Sequence, residues 1–262
     1  ISTTMNKNFD PEKEREFLNG LVQDYTDSSP YSEIKKEIIV NLMLGHINGT
    51  EGTGLQFGCA NGYETKRLSS ALSQLDVVDG STIFIERLKA NDSGSNINYH
   101  CALFEDFDHG TVGRTYDFLS CNYIMEHVYD TSSILANIKS MMHDKSLLFI
   151  TVPNSLALSR RLALEMGLVS SLSALTENDH KHGHRRTYTA DSLRIEVKEA
   201  GFKVVKEQGI VMKILADFQL NGLLKSNVLK KEHIIGLQGL AEKGENVTYS
   251  DSIFLVLQKG GN

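Results

Sequence analysis

Between residues 53 and 81 the chain sets small residues and a carboxylate where a nucleoside could be held. The stretch reads TGLQFGCANGYETKRLSSALSQLDVVDGS. An apolar run, Thr53–Phe57, stops at Gly58, Cys59, Ala60, Asn61 and Gly62. A helical pattern follows from Tyr63 to about Gln74, and a second apolar run ends on Asp79, with Gly80 and Ser81 behind it. Strand, small-residue turn, helix, strand and carboxylate is the layout of a nucleotide-binding unit. A side chain in the turn would collide with a ligand lying on the backbone. A carboxylate at the tip of the second strand accepts hydrogen bonds from both ribose hydroxyls. A carboxylate about 20 residues beyond the first glycine suits several adenosine ligands. The turn is more selective. A dinucleotide fingerprint asks for a glycine at its middle position, and here Ala60 occupies it and Tyr63 follows Gly62.

The frame Gly58-x-Ala60-x-Gly62 resembles the first motif of class I S-adenosylmethionine-dependent methyltransferases, whose middle glycine is often another small residue. Later segments carry the same resemblance. Ile97–Cys101 reads as a third strand, followed by Leu103-Phe104-Glu105-Asp106-Phe107. Tyr116-Asp117 opens a strand leading to Asn122-Tyr123-Ile124-Met125-Glu126-His127-Val128-Tyr129-Asp130. That segment is similar to a signature of the small-molecule branch, which includes ubiquinone-type O-methyltransferases and many sugar and natural-product enzymes. The strand LLFITVPN, residues 147–154, is similar to the next one of that branch. The resemblance runs from Glu51 to Val205 and more weakly to the C-terminus.

It implies S-adenosyl-L-methionine as cofactor. Gly58, Cys59, Ala60, Asn61 and Gly62 would admit it, and Asp79 would hold its ribose, with Gly80 and Ser81 alongside. Phe104 would cover the adenine, Glu105 or Asp106 would meet its amino group, and Asn122 would close the strand end. Tyr25 or Tyr31, in the N-terminal segment, would reach the methionine carboxylate. One departure is Gln56, where the family usually has Glu or Asp; an amide hydrogen-bonds but carries no charge.

Ligands of open parallel sheets lie beyond the carboxyl ends of the strands, so Glu126, His127 and Asn154 face the acceptor side. So does the long connection 155–190, and long loops of this kind often act as lids. Arg160, Arg185 and Tyr188 of this connection are expected to bind the acceptor. The connection's basic residues, Arg160, Arg161, Lys181, Arg185 and Arg186, make it locally positive in a chain of net charge −6, which points to an anionic metabolite. A hydroxyl acceptor must lose a proton during transfer, and His127 and His184 are the candidate bases. An amine acceptor would need proximity and desolvation more than a base. His180, His182 and His184 alternate, so an extended segment would bring them to one face; without acids or cysteines to complete a site, no metal is expected. A nicotinamide-dependent oxidoreductase and a non-catalytic cofactor-binding subunit are the alternatives.

The elements that must position these groups follow from composition and period. The chain has 262 residues, 40% hydrophobic, enough for one large α/β core. Strand–helix alternation predicts a doubly wound parallel sheet covered on both faces, and the resemblance implies a Rossmann-like, mostly parallel seven-stranded sheet whose last strand is antiparallel. Residues 5–50 read as a helical N-terminal lid segment and residues 51–262 as the main domain, with a lid insertion at 155–190 and a helical insertion at 211–247. The latter could form an intrachain lobe or a dimer contact, so monomer and homodimer both stay open. Residues 1–4, before Met5, are expected to be foreign to the fold. The negative net charge argues against a nucleic-acid partner. No apolar run is long enough to cross a bilayer. Cys59, Cys101 and Cys121 read as buried thiols of a cytoplasmic protein.

Overall fold

In the computed structural model, which describes residues 10–22, 29–47, 51–92 and 96–261, the glycine turn sits at the centre of the sheet. Strands β1 (Thr53–Phe57), β2 (Gln74–Asp79), β3 (Ile97–Cys101), β4 (Tyr116–Asn122), β5 (Met142–Pro153), β6 (Phe202–Ile210) and β7 (Ser252–Lys259) form one sheet in the order β3-β2-β1-β4-β5-β7-β6. β1 to β5 pair in parallel, and β7 runs antiparallel between β5 and β6. The chain starts at β1, turns back at β4, and thereby opens a crevice at the carboxyl ends of β1 and β4, where such sheets take their ligands.

Both faces are covered, as the alternation of buried residues requires. Leu148, Ile150, Leu255 and Leu257 join one core, and Phe149, Phe254 and Val256 the other. Helices α1 (Pro11–Leu21) and α2 (Pro30–Leu44) precede the sheet. Each starts on proline, whose missing N–H costs nothing there, and each is capped by the residue before it: Asp10 accepts from Glu12 N and Lys13 N, Ser29 from Ser32 N. α3 (Tyr63–Ser69) and α4 (Thr82–Asn91) link the first strands, a short α5 (His109–Val112) precedes β4, and α6 (Thr131–Ser140) precedes β5. The connection 155–190 folds into α7 (Leu158–Glu165) and α8 (Glu177–Lys181), followed by α9 (Ala190–Glu199). Between β6 and β7 stand α10 (Asp217–Lys225), α11 (Lys231–Ala241) and a 3₁₀ turn, Gly244–Tyr249.

The structure differs from expectation at several boundaries. The helix after the glycine turn stops at Ser69, not near Gln74, because the chain must turn before β2 begins at Gln74. β5 starts five residues earlier than its apolar run. The insertion's first helix starts at Asp217, since Val211 takes a positive φ of 47° and Met212 donates to the Leu237 carbonyl, which holds the chain off the helical path. All three cysteines are free; Cys59 and Cys121 are buried, but Cys101 is exposed at the end of edge strand β3. Among the described residues no helix is long and apolar enough to cross a membrane.

Candidate functional site

A cleft enclosing about 1100 Å³, partly open to solvent, lies across the carboxyl ends of β1, β2 and β4. Its floor is the turn predicted from sequence. Gly58 and Gly62 hold positive φ angles of 75° and 80°. A Cβ at either position would push on a movable terminal methyl, of Ile124 at Gly58 and of Leu88 at Gly62, so it is the left-handed backbone that asks for glycine. Ala60 takes the same left-handed region at φ 42°, which keeps the turn tight at a steric cost. Asp79 fixes this loop from β2. Its Oδ2 accepts from Cys59 N at 2.9 Å and from Cys59 Sγ at 3.3 Å, and its Oδ1 accepts from Ser81 N at 2.8 Å. Burial raises its pKa, opposed by those hydrogen bonds.

The walls are mostly apolar. Leu18 and Leu21 of α1 and Ile39 and Val40 of α2 cover one side, and Phe84, Phe104 and Ile124 line others. Phe104 packs edge-on against Phe57, with centroids 5.6 Å apart. Asn61, Gly80, Ser81 and Asn122 also reach the cleft. So do three polar groups that sequence reading missed: Lys36 from α2, Glu64 from α3, and Gln56 as more than a departure. Gln56 Nε2 donates to the Gly58 carbonyl at 2.9 Å and its Oε1 accepts from Thr65 Oγ1 at 2.8 Å, so the amide braces the turn. Lys36 lies three and four residues before Ile39 and Val40 on one helix face, a spacing visible in the sequence. Glu64 follows the turn directly. What the sequence lacked was any sign that α2 crosses the strand ends.

At the far end of the cleft stands His127, and behind it a cluster of titratable groups. Its Nε2 lies 3.9 Å from Glu126 Oε1, and its ring packs edge-on against His184 at 4.8 Å. His184 Nδ1 in turn lies 3.1 Å from Asp179 Oδ1. Glu126 is 1% exposed, and neither carboxylate oxygen has a hydrogen-bond partner. Burial pushes its pKa up to about 7. Burial first, then the neighbouring His184 and Arg185, lowers that of His127 to about 3, so its imidazole is neutral at physiological pH. Asp179 is desolvated too, but hydrogen bonds from His184 and Thr176 keep its carboxyl below the usual range. One donor atom from each of Glu126, His127 and His184 lies within 4.8 Å of the others, close enough to share a cation. Glu126 and His184 also line a second, smaller cavity of about 290 Å³, together with Asn154, Arg160, Arg186 and Tyr188.

A family model described as a methyltransferase domain matches residues 32–207. The chain belongs to this methyltransferase family. It is 27% identical over 157 residues to the ubiquinone biosynthesis O-methyltransferase of Aromatoleum aromaticum, a match covering 57% of this chain and 65% of that protein. It thus spans under two thirds of that relative's length. Among solved structures it is similar to the N-methyltransferase NodS of Bradyrhizobium japonicum in complex with S-adenosyl-L-homocysteine, with a TM-score of 0.58, 13% identity and 94% and 99% coverage of the two chains. It is also similar to the 1,6-didemethyltoxoflavin-N1-methyltransferase of Burkholderia thailandensis, with a TM-score of 0.61, 13% identity and 100% and 94% coverage. At these identities the structures speak for the fold.

Within this family chain, several residues singled out by sequence sit away from the cleft. Tyr25 lies outside the described residues. Tyr31 is fully buried, its hydroxyl donating to Asp251 Oδ2 at 3.2 Å. Glu105 and Asp106 do not line the cleft. The Glu105 carboxylate accepts from Tyr129 N at 3.4 Å, and Asp106 is exposed. Asn154 spends its amide on the Val247, Thr248 and Ser250 carbonyls. Arg160 donates to the Leu172 and Ala174 carbonyls. Arg185 pairs with Glu14 at 2.9 Å and lies 3.8 Å over the Tyr129 ring. Arg186 donates to the carbonyls of Met125, Val128 and Tyr129. Arg185, which also donates to the His127 carbonyl, and Arg186 strap residues 183–186 onto the loop after β4, which is what brings His184 to His127. The three lid histidines do not share a face. His180 belongs to α8, His182 caps it, and Gly183 at φ 82° turns the chain before His184.

Proposed function

We propose that this chain transfers a methyl group from S-adenosyl-L-methionine to a hydroxyl or amine of a small molecule. The observation that carries the reading is Asp79 at the tip of β2, beside a turn with left-handed backbone at Gly58 and Gly62, in a cleft that also takes in His127. The ribose would bridge to Asp79, the adenine would lie against Phe104, and the methionine carboxylate would meet Lys36, the cation of the cleft wall. His127, which also lines the cleft, would stand on the acceptor side of the transferred methyl group. When bound, the cofactor supplies an electrophilic methyl group; the protein's part is to align acceptor and methyl and to exclude water.

For a hydroxyl acceptor, the neutral His127 imidazole takes the proton as the oxygen–carbon bond forms, and the Glu126 carboxylate 3.9 Å away stabilises the imidazolium. His184, aligned by Asp179, stands next in line. Relatives named as O-methyltransferases and fold neighbours named as N-methyltransferases support both acceptor types, and the histidine–carboxylate pair favours oxygen. Arg160 and Arg186 line the second cavity beside the carboxylates of Glu126 and Asp179 and hold backbone carbonyls, so its wall does not favour an anionic acceptor.

A second reading of the same three groups rests on the unpartnered Glu126 oxygens. Glu126, His127 and His184 would bind a divalent cation, with Asp179 orienting His184 as an outer carboxylate does. Titration of the chelator-treated protein with Mg²⁺ and Zn²⁺ separates the two: saturable binding lost in His184→Ala supports the cation, and no binding supports the proton relay.

A further inference from the structure

The cleft holds two carboxylates, and the reading above employs only Asp79. Glu64 stands in the first turn of α3 at the cleft wall. Its Oε1 accepts from Ser120 Oγ at 2.5 Å and its Oε2 from Asn122 Nδ2 at 3.1 Å, both donors coming from β4. Asn122 is itself fixed, its Oδ1 accepting from Thr151 Oγ1 at 2.6 Å, so this chain of bonds aims Glu64 from a rigid base. The donors are neutral, and no ion pair to Glu64 is found among the described residues. Burial raises its pKa, opposed only by the two hydrogen bonds. A carboxylate in a largely apolar cleft with no cation beside it is electrostatically incomplete, and a ligand's positive charge would complete it.

The strand order says which part of the ligand that is. In the order β3-β2-β1-β4, the strand ends bring Phe104, Asp79, Gly58 and Asn122 into a row. A ligand with its base at Phe104 and its ribose at Asp79 must extend its amino-acid end past Gly58, over β1 and β4. Glu64 is bonded to that end of the row. Gln56, also at the turn, is neutral and has its amide committed to Gly58 and Thr65.

We propose that Glu64 is the anionic partner of the cofactor's α-ammonium group. The proposal rests on the S-adenosylmethionine reading of the cleft. The chain thereby carries its negative charge in the first turn of α3, eight residues beyond the neutral Gln56.

A double-mutant cycle between protein and ligand tests it. Wild type and Glu64→Gln are each titrated calorimetrically with S-adenosylhomocysteine and with its desamino analogue, in which hydrogen replaces the α-amino group. In the wild type, loss of the amino group should weaken binding roughly ten- to hundredfold, the range of a partly buried charge pair. In Glu64→Gln the two ligands should bind within about threefold of each other. The same loss in both proteins, or a wild type that does not distinguish the ligands, overturns the proposal. If Glu64→Gln fails to fold, Glu64→Ala carries the same comparison with the same two outcomes. Failure of the wild type to bind either ligand is a different pattern: it overturns the cofactor reading, and this proposal with it.

Discussion

Glu126 departs from solution behaviour beside His127 of the cleft. Its carboxyl is buried and unpartnered, with a pKa near 7 against an ordinary carboxylate value near 4.5. In the proposed mechanism its negative charge supports a protonated His127, so kcat/KM should fall as pH drops below about 7, and Glu126→Gln should flatten that limb and lower kcat at pH 8 by roughly ten- to a hundredfold. An unchanged pH profile in the variant contradicts the role. The stability consequence has the opposite sense. A raised pKa means that the folded state binds the proton more tightly than the unfolded state between about 4.5 and 7. Stability from this group is therefore fully present below about 4.5 and is lost as pH rises through 7. Thermal melts should show Glu126→Gln more stable than wild type at pH 8, and the difference should vanish near pH 4.5.

At the scale of elements, a buried ionic knot decides how the cleft is roofed. Asp251, just before β7, accepts from Lys35 of α2 at 3.1 Å and from Lys213 at 3.0 Å, with the Tyr31 hydroxyl alongside. Lys213 also meets Asp217 of α10 at 2.7 Å, and Tyr31 N donates to Asn221 of α10. One carboxylate thus ties α2, the helical insertion and the start of β7 together. Replacing it leaves two largely buried ammonium groups to share the half-exposed Asp217, 2.7 Å from Lys213 and 4.0 Å from Lys35, so Asp251→Ala should cost about 3 kcal/mol in denaturant unfolding. Because Lys36, Ile39 and Val40 of α2 line the cleft, the same variant should bind the cofactor more weakly; full stability would contradict the knot. None of this was legible in the sequence, since Lys35 and Asp251 are far apart in the chain and look like ordinary surface charges. The turn, by contrast, was legible: its glycines, its strand and Asp79 are local, and each has a steric or hydrogen-bonding reason that needs no partner from elsewhere. Glu105 and Asp106 show the limit. Sequence put acids in the right loop, but the position of Tyr129 determines where the Glu105 carboxylate points.

For the whole molecule, strand–helix alternation revealed the layered parallel sheet because period and length are chain-local properties, whereas the antiparallel last strand came from the family resemblance. The acceptor side was harder to read. The arginines of 155–190 looked like ligand-binding groups, yet Arg160 and Arg186 largely hold backbone carbonyls and Arg185 holds Glu14, so the lid is built by the residues expected to bind through it. The cofactor cleft is the central claim, and calorimetric titration with S-adenosylhomocysteine, with NAD as the control ligand, tests it most directly. The account predicts saturable one-to-one binding of S-adenosylhomocysteine that is lost in Asp79→Ala, and no binding of NAD. Binding of NAD instead, or affinity for S-adenosylhomocysteine that survives Asp79→Ala, would contradict it.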